Sequence, residues 1–150
     1  MRLPFKTRDL PLRIATGAFI LNSGLEKRGA EGEVAEGMHG MAVGTYPFLS
    51  KLDPTTFVRL LSAGEIALGA ALLVPVVPSR LAGAGLTAFS ASLLGLYLRT
   101  PGMRRPKSLR PTQDGLPLSK DAWLLGAGLS LLLNGDSSGD PGPRCGSRRG

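Results

Sequence analysis

Residues 53–78 read DPTTFVRLLSAGEIALGAALLVPVVP, and the rest of the chain is interpreted around this stretch. Asp53 followed by Pro54 is typical of a helix start, because aspartate caps a first turn and proline suits the first helical position. Residues 55–77 are almost all apolar or small. As a helix they are long enough to cross a bilayer core of about 30 Å. Because proline ends helices, the two prolines near the end of the stretch close it. The sequence therefore predicts a membrane-spanning helix.

Glu65 stands near the middle of this helix. At the usual helical rise it lies about 15 Å along the axis from the helix start. Inserting a carboxylate at such a depth costs on the order of 3 kcal/mol, and more when the carboxylate has no partner. Glu65 is for this reason the leading candidate for a functional residue.

Three further apolar segments accompany the first, at residues 12–25, 80–98 and 119–133, and basic residues bracket each of them. We predict an all-α fold in which residues 1–134 form a four-helix transmembrane bundle. Residues 135–150 are rich in Gly, Ser, Pro, Asp and Arg, a composition that predicts a disordered polar tail.

A polar connection separates the first two predicted membrane helices. Within it Val34, Met38 and Met41 recur at helical spacing. This spacing predicts a short interfacial helix between helices 1 and 2, and an ordinary surface helix fits it equally well.

Small residues form a ridge on each of the two central helices. These ridges comprise Ala63, Ala67 and Ala71 on the second helix and Gly83, Thr87, Ala91 and Gly95 on the third. Because close packing of small residues holds membrane helices together, we predict that the two ridges face each other.

The chain is basic, with 18 Lys and Arg against 11 Asp and Glu and a net charge of +7. The basic residues flank apolar runs and aromatic residues are only 5% of the chain, which favours anionic lipid headgroups over nucleic acid as the partner. A proline-rich segment holds the densest group, and we predict that its cations bind headgroups; a specific anionic ligand is the alternative. These cations are Arg99, Arg104, Arg105, Lys107 and Arg110.

The sequence carries none of the motifs of common catalytic sites. A paired-cysteine motif, a Gly-Lys-Thr phosphate loop and HExxH are all absent from it. His39 is its single histidine and Cys145 its single cysteine, so we expect neither a zinc or haem site built from imidazoles nor an internal disulfide. We predict no catalytic residues, no metal site and no cofactor bound by the chain through such groups.

Five polar residues remain as intramembrane candidates: Glu65, Arg13, Asn22, Arg59 and Lys27. In one hypothesis Glu65 pairs with a cation or an amide across the bundle and sets the helix register. In the other it carries a proton or contacts a ligand headgroup between the helices. The sequence leaves both open and does not identify the partner of the carboxylate.

The first helix resembles a known family. Residues 13–19, RIATGAF, followed by Gly24 and Lys27, resemble the opening of the DoxX family of small bacterial membrane proteins. Residues 64–73, GEIALGAALL, are similar to the glutamate–glycine second helix of that family. The resemblance covers about residues 10–134. It implies a multi-pass four-helix bundle in the bacterial cytoplasmic membrane. It also implies a link to thiosulfate–quinone oxidoreduction or thiol stress handling through partner proteins.

Two functions follow as hypotheses. The first is a non-catalytic membrane subunit or scaffold for an oxidoreductase partner, quinone- or thiol-linked, with a quinone as the associated cofactor. The second is a small transporter or proton-coupled carrier with Glu65 in its path. Because four short helices make a thin conduit, we expect the carrier to be a homo-oligomer.

Overall fold

The computed structural model describes residues 7–113, 115–119 and 121–134. Over these ranges the chain is helical and contains no β-strand, which confirms the all-α prediction. The helices are α1 (Leu10–Lys27), α2 (Glu33–Thr45), α3 (Pro54–Leu73), α4 (Ser79–Arg99), α5 (Leu116–Ser119) and α6 (Ala122–Asn134). Two short 3-10 turns, Thr7–Asp9 and Pro47–Lys51, precede α1 and α3. The predicted polar tail lies outside the described residues.

Three helices of the described chain are long and apolar enough to cross a membrane. They are α3, α4 and the 19-residue span Leu116–Asn134, which joins α5 and α6. Their length and composition indicate membrane association. α1 does not qualify by the same measure, because its 18 residues include three charged ones, Arg13, Glu26 and Lys27.

The start of α3 forms as its sequence predicts. The Asp53 carboxylate accepts a hydrogen bond of 3.0 Å from the backbone N–H of Thr56, and Pro54 occupies the first turn. Such a cap satisfies one of the four N–H groups that a helix start leaves without an internal partner.

α1 packs antiparallel against α3, and two glycines bring the backbones together. A Cβ atom added to Gly69 would lie 2.8 Å from Cα of Leu21, and one added to Gly24 would lie 2.9 Å from the backbone N of Ile66. Since neither position has room for a side chain, these glycines set the distance between the two helices.

α4 and α6 form a second close pair by the same means. A Cβ atom on Gly83 would lie 2.6 Å from the backbone N of Leu132, and one on Gly128 would lie 2.7 Å from the backbone N of Thr87. The two pairs then join through an apolar core. This core comprises Ile20, Leu72, Ala82, Leu86, Leu124, Ala127 and Leu131.

The prediction that the small ridges of α3 and α4 face each other is wrong. α3 packs mainly on α1 and α4 mainly on α6, while Ala63, Ala67 and Ala91 are exposed. The glycines of α1 and α6 allow a closer backbone approach than facing alanines do, and this explains the observed pairing.

Candidate functional site

The Glu65 carboxylate is paired with the ammonium group of Lys27. Glu65 lies in the middle of α3 with only 3% of its side chain exposed, and its Oε2 is 3.1 Å from Nζ of Lys27 at the end of α1. The ammonium also donates to Oγ of Ser23 at 2.5 Å and lies 3.5 Å from the Ser23 carbonyl oxygen. A buried charge is tolerated when it is paired and hydrogen-bonded, and here the pair also ties α1 to α3.

A second acid stands close to this pair. Asp121, half-buried just before α6, interacts electrostatically with both Lys27 and Glu65. The sequence places Asp121 more than fifty residues from Glu65, so only the tertiary packing, with α6 beside α1, brings the two acids near each other. Asp121 thus adds a second carboxyl group to the electrostatic surroundings of the Lys27–Glu65 pair.

The Arg13 side chain does not reach Glu65, because it contacts the C-terminal end of α3. Its fully buried guanidinium donates to the carbonyl oxygens of residues 71, 72, 74 and 77 at distances of 2.9, 2.8, 3.0 and 2.8 Å. It also donates to Oγ of Ser79 at 3.2 Å. The last carbonyls of a helix have no partner within the helix, and Pro75 prevents α3 from continuing. Arg13 therefore supplies the hydrogen bonds that the end of α3 lacks.

Asn22 and Arg59 are exposed, so neither side chain joins the buried Glu65 carboxylate. Asn22 donates to Oε1 of Glu26 at 2.9 Å along its own helix. The Arg59 side chain is 70% exposed and lies 3.9 Å from Oε1 of Glu31. The glycine faces of α1 and α3 turn toward each other, which leaves these two residues on the outer faces.

A cavity of about 680 Å³ opens between α2, α3, α4 and α5. Its wall is mainly aliphatic, aromatic and thioether in character, and Lys27 is its only charged member in the part of the chain that the structure describes. The wall includes Met38, Met41, Phe57, Leu61, Phe89, Leu96 and Leu118. Ligand pockets are commonly built in this way, with an apolar lining and a few polar groups.

α2 covers the cavity and is fixed on both sides. The Tyr46 hydroxyl donates to the Ser92 carbonyl oxygen of α4 at 3.0 Å. Nε2 of His39 lies 2.9 Å from the Leu49 carbonyl oxygen, and its ring packs against Phe57 with centroids 5.4 Å apart. The sequence predicted α2 but not the cavity. The helical spacing of Met38 and Met41, which both line the cavity, was the only sequence feature that pointed toward it.

Of the five cations predicted to bind headgroups, Arg99 is the last residue of α4 and the other four lie in the segment that follows. Arg99, Arg104, Arg105 and Lys107 line a recess of about 470 Å³, whereas Arg110 is not part of its wall. The structure thus gathers four of the five predicted residues.

Within the described ranges no group of three or more His, Cys, Asp or Glu side chains could hold a metal ion. The site offers an apolar cavity next to the buried Glu65 carboxylate and the partly buried Lys27 ammonium. No family model, curated protein or solved structure matches this chain, so the DoxX resemblance stays a prediction that rests on its residues.

Proposed function

We propose that this chain is a multi-pass integral protein of the bacterial cytoplasmic membrane, of the DoxX type. In this proposal α1, α3, α4 and the joined α5–α6 span form a four-helix transmembrane bundle, and α2 lies at the interface. The three long apolar helices support membrane insertion. The close packing of α1 on α3 supports a fourth crossing, as do Ile14, Phe19 and Leu25, which leave the outer side of α1 apolar and about half exposed.

Within the membrane the chain acts as a non-catalytic subunit or scaffold for a redox partner. The cavity beside Lys27 is the observation that carries this proposal. A quinone combines a flat ring with an isoprenoid chain, and the aromatic and aliphatic wall suits both parts. Lys27 could donate to a ring oxygen in place of its long contact with the Ser23 carbonyl. The quinone would supply the electron-transfer chemistry, and the chain's residues would bind and orient it for the partner.

Filling the cavity tests this proposal. Gly37 lines the cavity, and a Cβ atom added at that position would have no other atom within 4 Å, so a larger side chain can enter the cavity. We expect Gly37→Phe to weaken the binding of a short-chain quinone analogue by about tenfold or more, since losing about 1.4 kcal/mol of contact has that effect. Gly40→Phe is the matched control, because Gly40 lies in the same helix, faces open space and does not line the cavity.

The measurement is a binding isotherm of the purified full chain, together with the amount of quinone that copurifies per chain. Equal binding in the two variants would contradict a quinone in this cavity. Affinity capture of this chain from membranes in mild detergent should also recover an oxidoreductase. Recovery of this chain alone would contradict the scaffold function.

A proton-coupled carrier is the second candidate, and one observation favours it. Lys27 belongs to the cavity wall and also contacts Glu65, so it connects the cavity to a buried acid. In that case Glu65→Gln should abolish flux in proteoliposomes while the helix content and the oligomeric state remain unchanged. Flux that survives this substitution would rule out the carrier.

A further inference from the structure

The basic segment after α4 is a folded hairpin. Arg104 and Pro111 form an antiparallel bridge, and the Arg105 N–H donates to the Arg110 carbonyl oxygen at 2.9 Å. The N–H of Thr112 donates back to the carbonyl of residue 103 at 3.0 Å. Because these are backbone bonds, they do not involve the side chains of Arg105, Lys107 or Arg110, whereas the Arg104 guanidinium donates to the Leu98 carbonyl oxygen at 2.8 Å.

Contacts with α4 hold the hairpin at the end of that helix. The Tyr97 hydroxyl donates to the Leu109 carbonyl oxygen at 2.6 Å, and Met103 is buried with 8% of its surface exposed. The positively charged side chains are therefore displayed from a fixed position at one end of a membrane-length helix.

A tight turn at Pro106 and Lys107 forms the tip. The Ser108 N–H donates to the Arg105 carbonyl oxygen at 3.1 Å, and Lys107 has a φ of +56°. A proline followed by a residue with positive φ is the pattern of a type II turn. Glycine is preferred at the residue with positive φ, which is residue 107 here. A lysine in this place keeps a charge at the tip despite an unfavourable backbone conformation.

The recess beside this tip concentrates uncompensated positive charge. Arg99, Arg104, Arg105 and Lys107 line it, and none of the described residues in its wall is acidic. None of the three ion pairs in the described part of the chain involves these cations. Such a recess favours a ligand with negative charge.

Exposed apolar side chains adjoin the cations. Leu98 is 45% exposed and Leu109 is 72% exposed, and both contribute to the wall of the recess. Exposed leucines beside arginines and lysines are typical of segments that lie at the boundary between headgroups and acyl chains. A ligand that carries negative charge and hydrocarbon together fits both parts of this surface.

We propose that the recess binds the headgroup of an anionic phospholipid, and that a lipid with two phosphodiesters fits it better than a lipid with one. Four cations around one recess exceed the charge of a single phosphodiester, so a second phosphate gains further attraction from the same groups. The two leucines meet the acyl chains. This inference does not depend on the quinone proposal.

The test is retention of lipid by the purified full chain in nanodiscs of zwitterionic phospholipid that contain cardiolipin or phosphatidylglycerol, read by native mass spectrometry. Each cation near an anionic surface contributes about fivefold in affinity, so we expect Arg105→Gln with Lys107→Gly to weaken cardiolipin retention about 25-fold. Glycine suits the positive φ of residue 107, and the charge is therefore removed without disturbing the turn.

Arg110→Gln is the matched control. It removes one positive charge from the same hairpin but outside the recess, and it should leave cardiolipin retention unchanged. A loss for Arg110→Gln equal to that for Lys107→Gly alone would overturn the proposal in favour of diffuse attraction. Equal retention of cardiolipin and phosphatidylglycerol would overturn the preference for two phosphates. Displacement of the lipid by millimolar inorganic pyrophosphate would show that the recess takes soluble phosphates instead.

Discussion

Arg13→Lys keeps the positive charge of the side chain but removes much of its hydrogen bonding. The guanidinium donates five bonds, four to backbone carbonyls of residues 71–77 and one to the Ser79 hydroxyl. A lysine ammonium has three donors and no planar fork, so at least two of the five acceptors must lose the hydrogen bond from residue 13.

The magnitude follows from these bonds. Removing a hydrogen bond to a charged group costs about 1.5–3 kcal/mol, so two lost bonds should lower the free energy of unfolding by about 3–6 kcal/mol. Arg13 is 2% exposed, and water at that site cannot readily replace the donors. This loss would be a large part of the stability of an ordinary domain.

Reversible unfolding of the full chain in mixed micelles, followed by circular dichroism, measures the effect. Arg28→Lys is the control, because Arg28 lies just past the end of the same helix and is exposed. The control should change the free energy of unfolding by less than about 0.5 kcal/mol. If Arg13→Lys stays within about 1 kcal/mol of the unsubstituted chain, the carbonyls at the end of α3 do not depend on the guanidinium and the reasoning fails.

Two further predictions concern the helix pairs. Lys27→Met should destabilise the fold by about 3–5 kcal/mol because it leaves the Glu65 carboxylate buried without a cation, whereas adding Glu65→Leu should restore most of the loss. The same unfolding measurement checks this, and a double variant no more stable than the single one would contradict it. Gly128→Ala should cost about 1–3 kcal/mol, since its Cβ would lie 2.7 Å from the backbone N of Thr87. Gly126→Ala, in open space on the same helix, should instead stabilise by up to about 1 kcal/mol, and equal effects would disprove the close α4–α6 contact.

Local chemistry was enough to predict α1 to α4, whereas the helix α5 before residue 119 was not predicted. Asp53 and Pro54 start α3 as expected, and the helix ends before Pro75. α2 also forms around its methionines. These features depend on residues within one or two turns of each other, because capping groups, prolines and apolar spacing act over short distances along the chain.

Which helices pack against each other could be learned only from the tertiary structure. Helical periodicity shows where α3 carries small residues, but it does not show that α1 packs on the face of Gly69 while Ala63 and Ala67 stay exposed. The choice depends on how closely each pair of backbones can approach, and Gly24 and Gly69 allow α1 the shorter distance.

The candidate residues could likewise be predicted from the sequence, but their contacts in the site could not. The sequence singled out Glu65 and Lys27 as candidates, but their contact follows from the packing of α1 on α3. The exposure of Arg59 and the five acceptors of Arg13 follow from that packing as well. Whether a polar side chain is buried or exposed depends on atoms far away in the chain, and such long-range contacts exist only after the helices have packed.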